Sequence, residues 1–231
     1  MTRYWVFTPW LPYTVDADEM VANCKFLNGQ EVFAAGLSAG EFRSTPFPMA
    51  QLKMTMPGFD LDCFDWDGQT IVSEKFRLAA GLASDEIEYF DIDASETASW
   101  AQEKKYKIMS IPVNAALADV SLRFGGAPST SAVVSAMMAG KIAVKSSVSI
   151  PFELFHDTVL RGYRFCTDEF ALRLLRAGCT GMRFLDPDFI GRPRPMRYRT
   201  LRGVEEAGDW DPVAKILHSK LVESIPDAIS N

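Results

Sequence analysis

Two stretches of the chain carry the same order of apolar and polar positions. Residues 70–91 read TIVSEKFRLAAGLASDEIEYFD, and residues 164–186 read RFCTDEFALRLLRAGCTGMRFLD. Each begins with a short apolar run that ends in a hydroxyl residue, Ser73 or Thr167, followed by an acid, Glu74 or Asp168. Phe76 or Phe170 then opens a helical pattern, a glycine breaks it, and a second apolar run ends in Asp91 or Asp186. A hydroxyl at this position accepts an N–H left unpaired in the first helical turn, worth about 1 kcal/mol. The acid beside it is favoured at the positive helix end. In the second copy Phe170, Leu174 and Ala177 recur at helical spacing, Arg173 and Arg176 occupy the last turn, and Gly178 follows as a left-handed cap. The pattern predicts strand–helix–strand twice, with helices near 74–82 and from 168.

Elsewhere the pattern is weaker. Residues 3–7 (RYWVF), 105–113 and 141–150 read as strands. A short helix is expected over 16–25, with Asp16 as cap and Glu19 three residues later, and a turn at Asn28-Gly29. The prolines at 46, 48 and 57 mark 41–60 as irregular or edge structure. Residues 129–139 and 212–224 suit helices, and Pro151–Phe155 suits one helical turn with proline first. The sum is an α+β chain of mixed sheets and packed helices built around the duplicated unit. No linker-like stretch divides it, so 1–231 reads as a single domain. The alternative division is two intertwined lobes, 1–105 and 106–200, with a tail helix in 201–231.

Charge changes the picture more than composition does. Residues 1–120 carry 9 basic and 18 acidic side chains, and residues 121–231 carry 15 and 12. An acidic front half repels phosphate, so nucleic acid is not an expected partner, whereas a basic protein is. No run approaches the roughly 18 apolar residues of a membrane span. Pro9 and Pro12 interrupt the apolar start, so no secretion leader is expected. The four cysteines, Cys24, Cys63, Cys166 and Cys179, have neither C-x-x-C nor zinc-site spacing, which suits reduced, buried thiols in the cytoplasm.

The motifs that suggest chemistry lack its context. Gly36-Leu-Ser38-Ala-Gly40 matches a hydrolase nucleophile elbow, but Pro46 and Pro48 spoil the helix that should follow. Residues 60–74 place Asp65, Asp67 and Glu74 at calcium-loop spacing around Gly68, but Cys63 stands where a hard ligand is required. His156 adjoins Asp157, a pair that neighbours in sequence do not by themselves form. The arginines at 192, 194, 197, 199 and 202 suit the acidic half of the same chain as well as they suit nucleic acid. No catalytic residue, cofactor or metal ligand is expected.

Pro151–Phe155, Phe165-Cys-Thr167 and Ala177–Phe184 with Asp186, together with Ile71–Phe76 leading to Glu88-Tyr-Phe90, resemble a bacterial family. It was first defined as domain of unknown function 1629 and is grouped as family eleven of the immunity proteins of polymorphic toxin systems. The resemblance covers roughly residues 60–190. It implies an antidote that binds and blocks a cognate secreted toxin, and it brings no catalytic residue. The expected contact is the acidic, aromatic segment Phe59, Asp60, Asp62, Phe64, Asp65, Trp66 and Asp67. The competing readings are a hydrolase using Ser38 and a scaffold for a housekeeping partner. Oligomeric state is left open.

Overall fold

Both helix starts form as their local sequence dictates. In the computed structural model, Ser73 Oγ accepts the Phe76 N–H at 3.1 Å and Thr167 Oγ1 accepts the Phe170 N–H at 3.3 Å. Gly81 and Gly178 end these helices at φ +60° and +65°, a conformation that costs glycine little. The structure describes residues 3–9, 22–37, 42–56, 59–119, 143–144, 148–160, 163–185, 198–200 and 203–205.

In chain order the elements are β1 (Tyr4–Pro9), β2 (Cys24–Phe26), α1 (Gly29–Ala35), β3 (Ala50–Met54), β4 (Cys63–Trp66), β5 (Gln69–Val72) and α2 (Glu74–Ala80). There follow β6 (Glu88–Asp93), α3 (Ser99–Lys104), β7 (Lys107–Ser110), β8 (Asn114–Ala115), β9 (Ala118–Asp119), β10 (Ala143–Val144) and β11 (Leu154–Asp157). The last are β12 (Arg164–Thr167), α4 (Asp168–Arg176), β13 (Met182–Leu185), β14 (Tyr198–Thr200) and β15 (Gly203–Glu205). The fold class is α+β with mixed sheets.

The chain divides into two compact units of interleaved segments. One takes residues 1–8, 114–172 and 183–231, and the other takes 9–113 and 173–182. The chain passes between the units at 8/9, 113/114, 172/173 and 182/183. In the first unit, β1 pairs antiparallel with β12 and stands between β12 and β13 in the order β15-β14-β13-β1-β12-β11-β8. Its core stacks Phe155 on Phe165 and sets Phe7 edge-on to Phe170. The indole N–H of Trp5 donates to Asp168. In the second unit the order is β2-β3-β6-β7-β5-β4, and β7 pairs antiparallel with both β5 and β6.

The duplication thus extends to topology. Each copy is a split strand–helix–strand, with a third strand lying between its two strands. In the 70–91 copy that third strand, β7, comes later in the chain; in the 164–186 copy it is β1, from the chain's start. A hairpin partner precedes each copy at the same register: Phe64 faces Ile71, and Phe155 faces Phe165. The Ser73 N–H donates to Asp62 O at 2.8 Å, as the Thr167 N–H donates to Glu153 O at 3.0 Å.

Several expectations are corrected. Residues 50–54 form a strand paired on both sides, with β2 and β6, because Ala50, Leu52 and Met54 alternate into the core. Leu154–Asp157 is strand β11, not a helical turn, since Leu154 and Phe155 are both fully buried. Asn28-Gly29 opens helix α1. Residues 22–23 are helical and Cys24–Phe26 is strand, so the end of the expected 16–25 helix is corrected. Its first part, the 129–139 and 212–224 helices, most of the 141–150 strand, Asp186 and Ser38 lie outside the described residues. Among the described residues, no helix is long and apolar enough to cross a membrane.

Candidate functional site

The segment 59–67 separates into a buried base and an exposed tip of the β4–β5 hairpin. Phe59 and Phe64 pack edge-to-face at 4.9 Å, and Phe64 meets Tyr106 the same way at 5.5 Å. Both phenylalanines belong to the second unit's core. Both are buried there.

Asp62 is buried as well, at 1% exposed. Its carboxylate accepts from Ser73 Oγ at 2.7 Å, Thr180 N at 3.1 Å, Lys104 Nζ at 3.2 Å and Lys75 Nζ at 3.3 Å. Burial pushes its pKa up, but the Ser73 hydroxyl, the Lys104 ammonium and the Thr180 N–H together hold it below the ordinary carboxyl value. Around it the backbone closes tightly. The N–H groups of Asp62 and Cys63 both donate to Thr180 O at 3.1 Å, and Lys75 donates to Gly178 O at 2.6 Å. Gly181 sits at φ +83°, and a Cβ there would lie 2.0 Å from Cys63 O. This base joins the start of β4, the cap of α2, the end of α3 and residues 178–181, and its polar groups are occupied in doing so.

At the other end, Asp67 and Gly68 form a two-residue turn at φ +49° and +73°, the geometry that suits a strand hairpin. Asp65 and Asp67 are exposed and Trp66 is half-buried. Asp65 accepts from Thr70 Oγ1 at 2.6 Å. Asp67 lines a cleft of about 710 Å³ whose other walls come from the end of β2 and from α1, with Leu27, Glu31 and Phe33 among them. Asp60 is exposed and pairs with Lys104, beside a second cleft of about 500 Å³ that Phe59, Trp100 and Glu103 also line.

Helix α1 is held by its ends. Only Val32 is buried in it. At its start, Asn28 Nδ2 donates to Met49 O at 3.0 Å, and Asn28 Oδ1 accepts the Gln51 N–H at 2.9 Å. At its finish, Arg43 donates to Ala35 O at 2.7 Å and to Gly36 O. So pinned, α1 leaves Phe33 73% exposed, with Leu27 at 45% beside it. Sequence reasoning missed Leu27, Glu31 and Phe33. The one signal was negative: GQEVFAA has no apolar stripe, so a helix there must show an apolar residue to solvent.

The other motifs do not assemble. Glu74 holds Arg77 through two bonds at 2.6 and 2.7 Å, away from any calcium loop. Among the described residues no three His, Cys, Asp or Glu side chains converge as metal ligands. Asp157 accepts the N–H groups of Leu117, Val159 and Leu160 at 2.7–2.8 Å. His156, on the opposite face of the strand, has a buried Nδ1 without a partner; burial and then Arg164 lower its pKa to about 4. Cys24 is pushed up to about 12 by burial and Cys166 well above its usual value, so neither is a nucleophile at neutral pH. Of the arginine run, Arg199 is in β14 and the others lie outside the described residues.

No known family matches the chain, and no curated protein matches it.

Proposed function

We propose that the chain is a non-catalytic cytoplasmic binding protein, an antidote that occupies a cognate bacterial toxin, as its resemblance to immunity family eleven implies. The observation that carries this reading is Phe33. A large aromatic side chain is held 73% exposed on a helix pinned at both ends. Burying such a rigid apolar group in a partner recovers free energy at little cost in ordering. The solvent-facing acids Glu31 and Asp67 line the same cleft. They favour a basic protein surface and repel nucleic acid.

The test is co-expression. A toxin domain encoded by an adjoining gene, which this reading requires, is induced in cells with and without the chain, and the two proteins are then purified together. Restored growth and co-elution at fixed stoichiometry are expected. Unrelieved killing, with no complex, would overturn the reading.

A further inference from the structure

We infer that the cleft between α1 and the β4–β5 tip is the docking face, and that its occupant is a cationic segment of the toxin bearing a large apolar side chain. The inference rests on the antidote reading and narrows it to one surface and one partner chemistry. It also moves the contact away from Phe59, Asp62 and Phe64.

Three observations carry it. First, among the described residues the cleft is lined by two acids, Glu31 and Asp67, and by no base. A lysine or arginine reaching it meets the negative charge of both carboxylates. The second cleft differs, because Lys104 already neutralises Asp60 and Asp62 there. Second, Leu27 and Phe33 supply exposed apolar area in the same cleft. Apolar and charged contacts would therefore form together, with the aromatic ring central and the acids at the rim. Third, the walls are already ordered. The Leu27 N–H donates to Gln51 O at 2.7 Å, Asn28 ties α1 to β3, and the Asp67-Gly68 turn fixes the facing wall. A partner segment would dock without remodelling them.

The experiment uses the full chain and the adjoining-gene toxin domain that the antidote reading requires. Affinity is measured at low and high salt for wild type, Phe33→Ala, the pair Glu31→Gln with Asp67→Asn, and the controls Asp60→Asn and Leu78→Ser. Phe33→Ala weakens binding about 30-fold at either salt concentration. The acid pair weakens it about tenfold at low salt and flattens the salt dependence. The controls stay within about twofold. A photo-cross-linking phenylalanine analogue in place of Phe33 then captures a Lys- or Arg-rich segment of the toxin. Wild-type affinity in both cleft variants, with a complex still formed, overturns this face and leaves the antidote reading standing. Capture of an acidic segment overturns the stated occupant. Failure of the wild-type chain to bind the toxin overturns both readings. Unchanged thermal unfolding of Phe33→Ala, whose ring is exposed, separates lost contact from lost fold.

Discussion

The base and the tip of the β4–β5 hairpin are a few residues apart and are built to opposite ends. At the base, Asp62 is buried and accepts from Ser73, Lys75, Lys104 and Thr180. At the tip, Asp65 and Asp67 face water, and Asp67 looks across a cleft at an exposed phenylalanine. One residue type serves both places, and its surroundings assign the task. Base substitutions should act on folding, and tip substitutions on recognition.

The largest expected effect breaks the base. Asp62→Ala leaves the Ser73 hydroxyl, the Thr180 N–H and the Lys104 ammonium without their acceptor. The cost should be about 4 kcal/mol, read as a lower denaturant midpoint. Gly181→Ala should follow at about 3 kcal/mol, since its Cβ would overlap Cys63 O and its φ of +83° is strained for alanine. The same denaturant titration checks it.

Acid separates the units by pH window. His156 has a folded pKa lowered to about 4 from 6.5. Its contribution is present in full above 6.5 and is lost as pH falls from there through about 4. Asp62 is also lowered, from 3.8, so its contribution persists above that value and is lost only at still lower pH. Unfolding free energy against pH should therefore fall in two steps, and His156→Phe should flatten the upper step alone. The smallest effect on stability belongs to the tip: Phe33→Ala and Asp67→Asn should each change the unfolding free energy, read from the same denaturant titration, by no more than about 0.5 kcal/mol.

What the sequence made legible was local. The hydroxyl-acid-Phe order fixes where α2 and α4 begin, because a cap bond spans three residues. The parallel between the two copies was readable for the same reason. That β1 and β7 would each stand between the strands of a copy was not, since strand insertion is decided by distant pairing. Strand β3 hid behind the prolines that flank it. The fate of the segment 59–67 depended on the third dimension. Phe64 and Asp62 are buried because Tyr106, Thr180 and Lys104 arrive from elsewhere in the chain. Phe33 escaped notice because exposed and buried phenylalanines look alike in a string of letters.

The division of labour along this hairpin is tested most directly by amide hydrogen exchange of the full chain with and without saturating toxin. Slower exchange is expected in residues 27–35 and 65–69, with residues 60–63, 73–80 and 178–182 unchanged. Protection confined to the base, or a stable complex that leaves 27–35 exchanging as in the free chain, would contradict the account.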